Sequence, residues 1–212
     1  MALPSILVFG SQTTWPTSEY LFQLRAALLL EPRLKDFAAA IRDLPQLWQD
    51  LVEYDPRLKA VPGQNCLAEL AEWINHGDPM TTSASPPNVL TMPFTVVIHM
   101  VQYFCYLQNN QSSQAEILDH IQTGGAQGFC TGILSAVAVA CSNTEEDVNK
   151  LAAVALRLAL CIGAYVDLDG AFAKRPVEAI SLAVRWRSEA GHDRIIDVLN
   201  NYTDVSLKWL PR

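Results

Sequence analysis

The run Gln127-Gly128-Phe129-Cys130-Thr131-Gly132 constrains this chain more than any other. A cysteine sits midway between two glycines, and an apolar stretch of small residues, Ile133-Leu134-Ser135-Ala136-Val137-Ala138-Val139-Ala140, follows at once. This pattern fits a nucleophile elbow, a sharp turn from strand to helix, with sulfur in place of the usual serine oxygen. Glycines flank such a turn because neighbouring side chains would clash there. The helix that starts at Gly132 offers free backbone N–H groups and a partial positive charge, and both favour anions at its N-terminus. On residues alone a second reading stays open: free cysteine is among the most buried residue types, so Cys130 also fits a packed thiol in a glycine-containing loop.

The rest of the chain is consistent with a reducing, globular setting. Its 212 residues are 50% hydrophobic and 17% charged, enough apolar material for one sizeable core, with a formal net charge of −7. An acidic chain with scattered lysines and arginines argues against nucleic acid as a partner. Five cysteines (Cys66, Cys105, Cys130, Cys141 and Cys161) are widely spaced, with no CxxC pair and no zinc-ligand spacing. Cys105, Cys141 and Cys161 lie in apolar helical patterns and are expected to be small buried thiols. The N-terminus lacks a basic region and its apolar run is short, unlike a signal peptide. No uninterrupted apolar stretch reaches membrane-span length. The expected location is cytoplasmic, with no membrane partner.

Periodicity predicts a strand over 5–9, ending at Gly10, and a helix over 19–30 that Pro32 breaks. One or two helices follow over 33–54, with Pro45 at a kink or a new first turn. A further helix spans 66–76, and 77–88 reads as a loop. Residues 93–108 are long and apolar enough for a buried helix, 115–120 for a short one, and a second strand is expected just before the elbow. Ser142 to Glu146 is a helix start of capping-box type, opening a long helix to about Tyr165. Residues 176–190 form an amphipathic helix, and His192–Asn200 extends or follows it. The fold class is therefore α/β with more helix than strand.

Four segments together resemble a known family: Ile6-Leu-Val-Phe-Gly-Ser-Gln-Thr13, Gln127 to Ala136, Ala155-Leu-Arg-Leu-Ala-Leu-Cys-Ile-Gly-Ala-Tyr-Val-Asp167 and Ala179-Ile-Ser-Leu-Ala-Val-Arg-Trp186. In this order they resemble the starter-unit acyl-carrier-protein transacylase domain of fungal non-reducing polyketide synthases, a relative of malonyl transacylases. The likeness covers essentially the whole chain, residues 1–212, as one acyltransferase-like domain. It implies the helix-rich large subdomain of a malonyl-transacylase-like, α/β-hydrolase-type fold. Cys130 would be the nucleophile, taking an acyl group from a coenzyme A ester or a fatty acid synthase carrier and passing it to the phosphopantetheine thiol of an acyl carrier protein. No bound cofactor is implied, since the thioesters are substrates. Gln12 and the backbone N–H of Thr131 would form the oxyanion hole, and Gly128 and Gly132 the elbow. From its residue type alone, Gln12 fits a turn-stabilising side chain equally well.

Two departures from the malonyl relatives shape the expectation. They carry an Arg-Gly pair that binds the substrate's free carboxylate. The matching pair here is Ile162-Gly163, so Ile162 with Phe129 is expected to line a pocket for a neutral acyl chain; Arg157 is expected to be structural or on the surface. The second departure concerns the general base, which in the family is a histidine beyond a small ferredoxin-like subdomain. The sequence given reaches Arg212, near where that subdomain is expected to begin, and none of His76, His99, His120 or His192 fits the family position. His99 reads as a packed, hydrogen-bonded residue, and His76 and His192 as helix-end residues. Loss of a positioned base typically costs about 10²–10⁴-fold in rate. Three function classes thus remain: the starter-unit acyltransferase, an impaired remnant or non-catalytic interaction fragment of such a synthase, and a cysteine hydrolase of the α/β type, for which no downstream Asp…His pair is evident. An uncovered elbow side would also leave an apolar patch exposed.

Overall fold

The computed structural model describes residues 6–11, 15–80, 86–172 and 188–200. The chain divides into two compact units, Met1–Lys174 and Arg175–Arg212. In the second unit α9 (Glu189–Asn200) is described, with Ser188 Oγ accepting the Gly191 N–H at its start. The expected helix over 176–190 lies almost wholly outside the described residues.

The first unit opens with β1 (Leu7–Phe9), then α1 (Ser18–Leu30), α2 (Lys35–Arg42), α3 (Leu44–Tyr54), α4 (Gly63–His76), α5 (Asn88–Asn109), α6 (Gln114–Gly124), β2 (Ala126–Gly128), α7 (Gly132–Ala140) and α8 (Glu145–Phe172). Local chemistry sets the ends. Thr17 Oγ1 accepts the Tyr20 N–H and starts α1, and Pro45 sits in the first turn of α3, where no helical N–H is needed. Gly77, at φ +82°, ends α4 in the left-handed conformation. Ser113 and Glu116 form a capping box on α6. Thr144 and Asp147 do the same for α8: Thr144 Oγ1 accepts the Asp147 N–H, and Asp147 Oδ2 accepts the Thr144 N–H.

The core is built on α5 packed against α8. α5 is mostly buried and hides Phe94, Val97, Met100 and Phe104 completely. The two helices meet closely because position 163 is glycine: a Cβ there would stand 2.3 Å from the Asn88 carbonyl oxygen. One turn further on, Asp167 caps α5, accepting the backbone N–H groups of Asn88 at 3.0 Å and Val89 at 2.7 Å. Asn149, nearer the start of α8, accepts the Phe37 N–H and ties α8 to α2. Both α5 and α8 are long and apolar enough, by length and average composition, to cross a membrane. The sequence expectation missed this because it counted uninterrupted apolar runs, and isolated polar residues punctuate both helices.

The sheet is smaller than an α/β pattern leads one to expect. Among the described residues it has two parallel strands of three residues, with Leu7 opposite Ala126, Val8 opposite Gln127 and Phe9 opposite Gly128. A parallel pair needs a long crossover, and here helices α1 to α6 supply it. The consequence matters for the site: the strand-turn at Phe9-Gly10 and the elbow, far apart in sequence, become neighbours.

Candidate active site

β2 runs into the elbow and α7 leaves it. Phe129 donates its N–H to the Phe9 carbonyl at 2.9 Å, one bond beyond the paired strands. The chain then turns sharply at Cys130, whose φ is +55°. That left-handed conformation costs a residue with a Cβ roughly 1–2 kcal/mol, and it persists because its surroundings enforce it. The two flanking glycines do the enforcing through space. A Cβ on residue 128 would lie 2.3 Å from the Ile133 backbone, and one on residue 132 would lie 2.2 Å from the Phe9 carbonyl oxygen. Helix α7 therefore rests directly on the end of β1 and on its own approach strand.

Cys130 is exposed, which removes the reading of a packed thiol in a loop. Its sulfur lies 3.9 Å from the Thr131 hydroxyl. The first bonds of the turn run from the N–H groups of Gly132, Ile133 and Leu134 to the carbonyls of Phe129, Cys130 and Thr131. Among the described residues, the Thr131 N–H itself takes no part in that ladder. It is one of the orphan donors that a helix N-terminus offers to an anion. Gln12 lies outside the described residues.

The acyl-pocket candidates are exposed apolar side chains. Phe129 is 63% and Ile162 47% exposed. Ile162 lines an open depression on α8 with Cys161, Tyr165 and Val166, and that lining includes neither Phe129 nor Cys130. Ile133, Val137, Val154 and Leu158 are also exposed, so α7 and α8 both present apolar side chains to solvent. Arg157 is exposed on α8.

Among the described residues no imidazole bonds to the Cys130 sulfur. His99 is buried in α5, with Nδ1 3.0 Å from the Ser135 hydroxyl of α7 and its ring edge-on to Phe9 at 5.4 Å. Burial pushes its pKa below the usual imidazole value, and the nearby Gly10 backbone opposes this more weakly. His76 ends α4, 3.6 Å from Glu72, and His120 is exposed on α6. The partner of His99, Ser135, went unnoticed in the sequence. The available signal was one hydroxyl in an otherwise apolar helix, facing a lone imidazole in another.

The cysteine expectation needs one correction. Cys105 and Cys161 are half-buried, and desolvation raises the pKa of each thiol, but Cys141 is exposed. It stands one residue beyond α7, as its C-cap, where the chain has left the packed face. Among the described residues no cluster of His, Cys, Asp and Glu is arranged to hold a metal ion.

The family described as "Starter unit:ACP transacylase in aflatoxin biosynthesis" matches residues 7–207. The chain belongs to this family. Relatives of this chain include the 5-methylorsellinic acid synthase of Aspergillus terreus, 40% identical over 96% of this chain and 8% of that protein. Others are the methylphloroacetophenone synthase of Cladonia uncialis, 39% identical over 97% of this chain and 8% of that protein, and the non-reducing polyketide synthase pkbA of Emericella nidulans, 47% identical over 78% of this chain and 7% of that protein. The chain thus spans less than a tenth of the length of these relatives.

Proposed function

We propose that this chain is a starter-unit acyltransferase of polyketide biosynthesis, receiving a neutral acyl group on Cys130 and delivering it to an acyl carrier protein. The reading is carried by one observation: an exposed cysteine held at φ +55° on the N-terminus of α7, between two glycines whose places no larger residue can take. The Cys130 thiolate attacks the carbonyl carbon of an acyl thioester. The tetrahedral oxyanion collapses, the donor thiolate leaves, and the proton released from Cys130 ends on it. The carrier's phosphopantetheine thiol then attacks the acyl-cysteine, giving the acyl carrier thioester and the free Cys130 thiol. The Thr131 N–H, with Gln12 from the turn after β1, would stabilise the two oxyanions.

Further parts of the proposal rest on the family resemblance. The chain acts as one acyltransferase-like domain, the large part of a malonyl-transacylase-like α/β fold, working in the cytoplasm with a larger synthase. Coenzyme A or carrier-bound thioesters serve as substrates, with no resident cofactor. Ile162, where malonyl relatives carry arginine, suits an uncharged acyl chain; selection between chains differing by one methylene would be modest, about 1–3 kcal/mol.

A second reading, an interaction fragment without turnover, is favoured by the absence of an imidazole at the Cys130 sulfur among the described residues. Intact-mass analysis after incubation with a short-chain acyl-coenzyme A decides between them. Acyl transfer predicts a single adduct, absent in Cys130→Ala, that moves to an added acyl carrier protein. Wild-type protein that gains no acyl mass overturns it. Free acid released faster than acyl carrier forms would point to a hydrolase instead.

A further inference from the structure

Two polar side chains are buried where three elements of the site meet. His99 is buried in α5, where an apolar residue would avoid the desolvation that an imidazole suffers. Ser135 lies in α7, fully buried, five residues beyond Cys130. The His99 ring bonds the Ser135 hydroxyl at 3.0 Å and packs edge-on against Phe9. It also faces the Gly10 backbone and lines the same groove as Gly10 and Ser11. A neutral imidazole has one donor and one acceptor nitrogen, enough to serve Ser135 on one side and the Gly10 backbone on the other.

The location gives this pair a role that packing alone does not require. β1 ends at Phe9, and the Phe9 carbonyl is the last described link between that strand and the elbow, through the Phe129 N–H. Ser135 lies four residues after Thr131, whose N–H at the start of α7 is the candidate oxyanion donor. His99 packs against Phe9 while holding α7 by Ser135.

We infer that His99 is a positioning residue for acyl capture: bonded to Ser135 and set beneath Phe9-Gly10, it holds the end of β1 in register with the elbow helix. The inference rests on the reading of Cys130 as the acyl acceptor. It acts on the backbone of α7 that carries the Thr131 N–H and leaves the thiol untouched. Acylation, which passes through an oxyanion, and alkylation, which does not, should therefore respond differently to its loss.

The test measures two rates at Cys130 in the full chain, loading from a short-chain acyl-coenzyme A followed by intact mass, and alkylation by iodoacetamide. His99→Phe keeps the ring and removes its polar atoms. Loading at saturating thioester should fall at least tenfold, towards the cost of about 10²–10³-fold for losing one oxyanion donor outright. The half-saturating thioester concentration and the alkylation rate should stay within about twofold of wild type. His99→Gln, with both a donor and an acceptor, should recover most of the loading rate. If His99→Phe fails to fold, Ser135→Ala decides, with loading expected to fall severalfold at unchanged alkylation. Wild-type loading in the folded variants overturns the inference and leaves the acyl-capture reading standing. Parallel loss of loading and alkylation also overturns it, because His99 would then act on the thiol or the fold as a whole. Wild-type protein that alkylates and never loads overturns the acyl-capture reading, and this inference with it.

Discussion

The Phe9 carbonyl oxygen accepts the Phe129 N–H at 2.9 Å, and the same oxygen lies 2.2 Å from where a Cβ on residue 132 would stand. A strand from the start of the chain thus meets the elbow by a hydrogen bond on one side and by bare glycine on the other. The strained cysteine is held between these contacts.

Gly132→Ala should be more damaging than an ordinary helix substitution, although alanine is the better helix former. The new methyl group must displace the Phe9 carbonyl, which is backbone and already bonded. We expect a loss of about 1–3 kcal/mol, typical of an overpacked core, read as a lower urea midpoint, together with slower alkylation of Cys130. Unchanged stability would mean that α7 does not rest on β1.

Cys130→Gly should move stability the other way. Glycine adopts φ +55° without penalty, so relief of strain outweighs its greater freedom in the unfolded chain and the variant gains about 0.5–1 kcal/mol. Cys130→Ala retains the strained Cβ and should match wild type in urea titration. A glycine variant less stable than the alanine variant would contradict the assignment of strain to this residue.

Asp55 gives a pH signature. It accepts hydrogen bonds from the Arg57 guanidinium and backbone N–H and from the Tyr165 hydroxyl, tying the connector after α3 to α8. The Arg57 side chain, above all, holds its pKa at about 2, against an ordinary value near ~3.9 in the unfolded chain. A depressed carboxylate stabilises the fold above the unfolded value, and that contribution is lost as pH falls through the folded one. The stability advantage of wild type over Asp55→Asn should therefore be full above about pH 4 and shrink towards pH 2. An advantage independent of pH across that window would show that the charge of Asp55 is not its source.

Asp167→Ala removes the acceptor for two N–H groups at the start of α5. The loss should be about 0.5–2 kcal/mol, and Asp167→Asn should recover part of it through its remaining oxygen. Hydrogen exchange should locate the effect at Asn88 and Val89. Protection unchanged at those amides would refute the cap.

Much of the local structure was legible in the sequence. Proline, glycine and capping residues marked the ends of α1, α3, α4 and α8, and the G-F-C-T-G run marked the elbow, because each depends on the conformational range of a few adjacent residues. The length of α8 was not legible. The apolar pattern weakens after Tyr165, but the helix runs on to Phe172, and Asp167 in that stretch caps α5. Cys141 was read as buried because periodicity does not show where a helix stops covering its own end.

By itself, the sequence determined that a cysteine would sit in a glycine-flanked turn ahead of an apolar helix, and which family the chain belongs to. Tertiary structure alone decided that the cysteine is exposed and strained, and that Gly132 and Gly163 are points of backbone contact. It also decided that His99 meets Ser135 under Phe9. A pattern along one chain records what each segment prefers. Which carbonyl lies 2.2 Å from a missing Cβ, and which hydroxyl satisfies a buried imidazole, is set only when segments far apart in sequence are packed together.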